Sequence, residues 1–225
     1  LGMAGDKVEM TTNNAFTQGP TAWQAPNPDV NDVTQYNGFF YRTLVELKKQ
    51  VDDGATVINL SLGSSKVDAN NAWSAAAYKR FFERMQADHP DVLFVCAAGN
   101  YGGALDGTNY APGGLKLPNV MTVGALDQTG DRADAGDWYS EDKLQEWYAT
   151  AKTGGSIPAE TTYEEYVDSL RAGSNYATGE GEVSLSACGT DVPTGLDADG
   201  RPVTNHGTSF AAPQVAAAAA LLKSI

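Results

Sequence analysis

Residues 211–222 hold seven alanines, two leucines, a valine, a proline and one polar side chain, Gln214. A helix of that composition has no solvent face, so the sequence predicts a helix that the rest of the chain must cover on every side. Directly before it stands Asn205-His206-Gly207-Thr208-Ser209-Phe210, which puts a serine at the corner where a loop enters the helix. The first turn of a helix leaves N–H groups without intrahelical acceptors and carries the positive end of the helix dipole. Both would stabilise negative charge developing on an oxygen attached to Ser209. Pro213 is expected in the first turn, where its missing N–H costs no hydrogen bond. By itself a serine at a helix start is most often an N-cap, a part that Thr208 or Ser209 could take.

What can cover such a helix is visible upstream. Val33, Tyr36, Phe40, Leu44, Leu47 and Val51 recur at three- and four-residue spacing and stop at Gly54, after which Val57-Ile58-Asn59-Leu60 reads as a buried strand ending in Ser61-Leu62-Gly63. The unit repeats: Asp68 as N-cap, a helix marked by Trp73, Ala76, Ala77, Phe81 and Met85, then a strand Val92–Cys96 ending in Ala97-Ala98-Gly99-Asn100. Helix-strand units in series imply parallel strands joined by right-handed crossovers, and in such sheets sites gather at the carboxyl ends of the strands. A third strand, Val120–Ala125, follows a glycine-rich loop from Tyr101 to Gly114, and Val183-Ser184-Leu185 is expected as a fourth before the loop that leads to Ser209. Lys7–Met10 is expected as a short strand, followed by a loop from Thr11 to about Asn31. The 225 residues therefore read as one α/β domain with a mainly parallel sheet and helices on both faces.

Residues 137–182 interrupt this rhythm with ten acidic and three basic residues, and so carry −7 of the net charge of −13. The stretch reads as an acidic insertion and a solvated surface excursion, with short helices at Glu141–Lys152 and Thr162–Arg171, the second opening on a Thr162-x-x-Glu165 capping box. The acidic balance argues against nucleic acid or an anionic membrane surface as partner. No run of about 18 apolar residues is present, so no membrane span is expected. Cys96 and Cys188 fit neither a metal cluster nor a disulfide scaffold and are read as buried thiols. The chain opens on Leu1 with no signal-like region ahead of it, as expected of a trimmed or processed piece.

Four motifs, in order, resemble those of the subtilisin-like serine proteases. Gly54–Gly63 resembles the family's strand ending in S-L-G, and Ala97-Ala98-Gly99-Asn100 its A-A-G-N. Leu117–Ala125 resembles its P-x-V-I-x-V-G-A, and Gly207-Thr208-Ser209 with Ala211 and Pro213 its nucleophile motif. The resemblance implies a three-layer subtilisin-like α/β fold, N-terminally incomplete, with residues 1–225 forming a single partial catalytic domain. It also implies that Ser209 is the nucleophile, that Asn100 donates to the oxyanion beside the Ser209 N–H, and that Ser61, Leu62, Gly63, Ala98 and Gly99 border a channel for an extended peptide. No cofactor or catalytic metal is called for, and a structural calcium has no assigned position. Peptide or protein substrates and an extracellular or cell-envelope setting are the expected context.

The family's base, a histidine in H-G-T-H, and its orienting aspartate in D-[ST]-G are absent from this sequence. The resemblance places both upstream of Leu1, which makes the missing N-terminal segment an expected partner and the chain alone inactive. His89, before Pro90, is read as a surface residue, and His206 is not expected to serve as base. Two other readings stand beside the endopeptidase: a non-catalytic subtilisin-like module that binds peptides or partners, and a sedolisin-type serine-carboxyl peptidase, which Asn100 argues against. The family's sheet also has a strand between the counterparts of Lys7–Met10 and Val57–Leu60, a slot that would need filling.

Overall fold

The structure is a computed structural model that describes residues 33–63, 72–170, 172–180 and 182–225. The strand expected at Lys7–Met10, the loop from Thr11 and the cap at Asp68 lie outside the described residues. In chain order, α1 (Val33–Asp52), β1 (Val57–Leu60), α2 (Ala72–Asp88) and β2 (Leu93–Ala97) form two helix-strand units. Then come β3 (Ala104–Leu105), β4 (Val120–Leu126), α3 (Ala135–Trp138), α4 (Glu141–Thr153), α5 (Tyr163–Ser169), β5 (Tyr176–Ala177), β6 (Leu185–Cys188), β7 (Val192–Leu196), β8 (Pro202–Asn205) and α6 (Thr208–Lys223).

The main sheet has the order β1-β2-β4-β6 with every neighbour parallel: Val57 stands opposite Leu93, Phe94 opposite Val120, and Val123 opposite Leu185. The apolar runs are strands because both faces are covered, as the period of two requires. Phe94 and Cys96 face one way, into a core with Leu47 and Val51 of α1 and Tyr78, Phe82 and Met85 of α2. Val95 and Ala97 face the other way, against Ala211, Ala212, Val215 and Ala216 of α6. Helix, sheet and helix make the three layers. The aromatic pair Phe82 and Phe94, both fully buried with ring centroids 4.7 Å apart, anchors the face remote from α6. Truncating Phe94 to alanine there would cost about 3–5 kcal/mol.

Several expectations are corrected. α6 is not covered on every side: burial stops after Ala216, Ala218 is exposed and Leu222 is 69% exposed. The reason is that α6 packs mainly on the four strands, which cover one side of it. Pro213 is the sixth residue of the helix, inside its second turn. The fourth strand begins at Leu185, two residues later than the apolar run suggests, because Val183 packs instead with Ala98, Leu105 and Tyr110. The approach to Ser209 is a hairpin of β7 and β8 rather than a loop, turned at Asp197-Ala198-Asp199-Gly200, where Asp197 Oδ1 accepts from the N–H groups of Asp199 and Arg201. Cys96 is buried, whereas Cys188 is half-buried, and no disulfide joins them.

The solvated reading of residues 137–182 fails at both ends. α4 and α5 present mostly exposed side chains, and the Thr162/Glu165 capping box forms. At the near end, however, Trp138 is buried and donates its indole N–H to Thr190 Oγ1 at 3.2 Å. At the far end Ser174 and Asn175 are fully buried and β5 pairs with β3 inside the glycine-rich loop. β1 is the edge of the described sheet, with β2 on one side and no neighbour on the other among the described residues.

Candidate active site

Parallel strands end together, so the residues that follow β1 and β2 share one rim of the sheet. α6 begins at that rim. Ser61, Leu62 and Gly63 after β1, Ala98, Gly99 and Asn100 after β2, and Thr208 and Ser209 at the start of α6 line a single cleft together with Tyr101, Tyr110, Ala111 and Gly113. All seven residues singled out from the sequence thus meet in one place. The cleft, of about 190 Å³, has no charged side chain in its lining among the described residues, and the rings of Tyr101 and Tyr110 stack with centroids 6.0 Å apart.

Asn100 is exposed at this rim but its amide is not free to turn. Its Oδ1 accepts from the Thr208 N–H at 2.9 Å and from Thr208 Oγ1 at 2.8 Å, and the Thr208 hydroxyl oxygen accepts in turn from the Gly99 N–H at 3.1 Å. A backbone N–H can only donate, so the atom facing it must be the amide oxygen, and the Nδ2 group is left as the side chain's donor. Gly207 lies under that group with φ +128°, and a Cβ there would come 3.0 Å from Nδ2. Thr208, fully buried, had no role in the reading of the sequence beyond a cap, yet it orients Asn100.

Ser209 is the second residue of α6 and half-buried. Of the first-turn N–H groups, that of Thr208 is bound to Asn100 and that of Phe210 to the Gly207 carbonyl at 3.0 Å, whereas that of Ser209 has no acceptor among the described residues. The Ser209 carbonyl would ordinarily accept from the N–H of residue 213, four positions on. Proline has none. Ser61 Oγ takes its place, donating to the Ser209 carbonyl oxygen at 2.7 Å while accepting from Asn59 Nδ2 at 3.0 Å. The Ser209 hydroxyl lies 3.5 Å from the Ser61 carbonyl oxygen. The proline thus ties the serine-bearing turn to the end of β1, a link that position in a helix alone does not reveal.

Neither histidine is hydrogen-bonded to the serine. His206 lies flat on Trp138, centroids 5.4 Å apart at 14°, with the edge of Tyr139 at 5.3 Å. His89 sits at the end of α2, 4.0 Å from the carboxylate of Asp52. Among the described residues no cluster of three or more metal-ligating side chains occurs, and no helix is long and apolar enough to cross a membrane. Burial pushes the Cys96 thiol well above its ordinary pKa, so it is no nucleophile.

The site thus sets a serine on the first turn of a helix beside a carboxamide fixed at the adjacent strand end of a parallel α/β sheet. The family model of the subtilases, peptidase S8, matches residues 24–225, and the chain belongs to that family. It is 30% identical over 143 residues to subtilisin-like protease 2 of Pseudogymnoascus destructans, covering 60% of this chain and 32% of that protein. It is 39% identical over 72 residues to subtilisin-like proteinase Mp1 of Magnaporthiopsis poae, covering 32% of this chain and 14% of the other. The matched region thus spans a third or less of these relatives. Among solved structures, the subtilase cytotoxin SubAB superposes with a TM-score of 0.52 at 20% identity, covering 84% of this chain and 52% of that one. A lanthipeptide protease gives 0.51 at 24%, covering 82% and 51%. These likenesses show the subtilisin-like fold.

Proposed function

We propose that the chain supplies the nucleophile and the oxyanion donors of a subtilisin-like serine endopeptidase, the general base and its orienting aspartate coming from a segment upstream of Leu1. The observation that carries this reading is the pinned amide of Asn100: with Oδ1 held by Thr208, its Nδ2 and the unpaired Ser209 N–H are two donors at one rim of the cleft. Ser209 Oγ attacks the substrate carbonyl as its proton passes to the base, and the carbonyl oxygen becomes an oxyanion that accepts from those two donors. Collapse breaks the C–N bond, the amine leaves with the proton, and water hydrolyses the acyl-enzyme. An extended peptide would pair its backbone with Ser61–Gly63 and Ala98–Gly99. A lining without charge suits broad or apolar side chains rather than one charged residue. The reading requires no cofactor and fits an extracellular or cell-envelope enzyme.

The chain alone lacks base and orienter and is expected to retain at most the residual 10³–10⁴-fold acceleration, roughly, that oxyanion donors and binding supply without them. The test is a fluorophosphonate probe applied to the full-length protein. Ser209 should be labelled there, and neither the Ser209→Ala variant nor the isolated chain should react at a comparable rate. Equal labelling of the Ser209→Ala protein would overturn the assignment.

A further inference from the structure

We propose that Asn175 is a positioning residue for Asn100, the hub on which the loop carrying that donor is folded. The proposal rests on the function given above. Asn175 is buried to 1% exposure at the far end of the acidic stretch, next to the pair of β5 with β3. Its Nδ2 donates to the Ala98 carbonyl at 2.8 Å, and its Oδ1 accepts from the Tyr101 N–H at 3.1 Å and the Gly103 N–H at 2.9 Å. Its own N–H donates to the Gly99 carbonyl at 2.9 Å. One carboxamide and one N–H therefore bind the backbone on both sides of Asn100, at residues 98, 99, 101 and 103, and leave residue 100 at the crest of the turn.

The approach is close enough to fix a neighbour's identity. A Cβ on Gly99, whose φ is +102°, would fall 2.5 Å from Asn175 Nδ2. Asn175 is itself seated by its neighbours: the Ser174 N–H donates to the Ala133 carbonyl at 2.8 Å, and Ser174 Oγ accepts from the Ala125 N–H at 2.9 Å. Asn100 is thus located twice, its backbone by Asn175 and its side chain by Thr208. Neither Asn175 nor Ser174 lines the cleft. Asn175 acts through the loop that carries Asn100, so its loss should move the donor relative to the oxyanion while leaving the Ser61–Gly63 edge in place. A misplacement of that order, up to about 1 Å, costs up to about 100-fold in rate.

The experiment uses the full-length protein. Asn175→Ala should lower kcat about 10- to 100-fold with KM within about threefold of wild type. In an Asn100→Ala background the same change should lower kcat by less than about twofold, because the group it positions is already gone. A residue of merely structural importance would multiply the two losses, and that result would overturn the proposal. Asn175→Asp is the harsher variant: it keeps the acceptor for the Tyr101 and Gly103 N–H groups but turns a buried carboxylate oxygen toward the Ala98 carbonyl, and should show the same masking by Asn100→Ala. Amide hydrogen exchange of the wild-type protein reads the hub without activity. Tyr101 and Gly103 should exchange far more slowly than open loop amides, and exchange at open-loop rates would refute it. If Ser209→Ala hydrolyses peptides as well as wild type, the protease reading falls, while the exchange data still decide whether Asn175 holds the loop.

Discussion

Ser61→Ala removes the hydroxyl that donates to the Ser209 carbonyl at 2.7 Å, and the interest lies in why that carbonyl needs it. Residue 213 is a proline, so the helical N–H that would have satisfied Ser209 is missing. A net hydrogen bond contributes roughly 0.5–1.5 kcal/mol, and an acceptor left unpaired in a partly closed site loses about as much again in desolvation. Ser61 is exposed and Ser209 half-buried, so the cost stays near the lower part of that range, about 1–1.5 kcal/mol. For a domain of this size that is a fall in Tm of about 2–6 °C. Pro213→Ala restores an N–H at position 213 and offers the carbonyl a helical donor. In that background Ser61→Ala should cost about 0.5 kcal/mol or less, a coupling of roughly 1 kcal/mol. The bond that Asn59 Nδ2 makes to Ser61 Oγ is lost in both backgrounds and cancels from the cycle. Thermal unfolding of the four full-length proteins measures it. Equal costs for Ser61→Ala with and without Pro213 would show that the proline is not what makes the hydroxyl necessary.

Two further outcomes follow. Thr208→Val keeps the shape of a fully buried side chain but removes one of the two donors to Asn100 Oδ1 and the acceptor for the Gly99 N–H; kcat should fall about tenfold with KM little changed, against roughly 10²–10³-fold for Asn100→Ala, a magnitude taken over from subtilisin itself. Steady-state kinetics with a chromogenic peptide decide it, and an unchanged kcat for Thr208→Val would mean that Asn100 is oriented by other means. In the native protein iodoacetamide should modify half-buried Cys188 long before Cys96, whose thiol is enclosed and pushed up in pKa; peptide mapping that finds Cys96 modified first would show that the layer between α2 and the sheet opens readily.

The layers were legible because strands buried on both faces write an unbroken apolar run, as at Val92–Cys96, and because each run was followed by small residues at a strand end. That same logic assembled Ser61–Gly63, Ala98–Asn100 and Ser209 around one cleft. β3 and β5 escaped it because two residues make no period, and β7 and β8 because their side chains are mostly exposed and each strand carries a proline, although Asp199-Gly200 between them is a hairpin signal. Asn175 left no trace at all. Its partner Ala98 is 77 residues away, and a carboxamide bonded to backbone asks nothing of the side chains it meets. The full burial expected of α6 was an inference from composition, which records what a helix could tolerate against it and not what lies there.

The bond between Thr208 and Asn100 has a mechanical meaning. Residue 208 adjoins the serine on one rigid element, and it grips the amide that belongs to another, so α6 and the end of β2 act as two arms of a caliper closed by a single threonine. Asn175 holds the one arm and Ser61 the other to the strand ends, so the spacing of the serine and the carboxamide is set by bonds at both ends. Fluctuation is then spent on the fit between the cleft and what enters it, where it alters affinity, rather than on the gap between the Ser209 hydroxyl and the Asn100 amide.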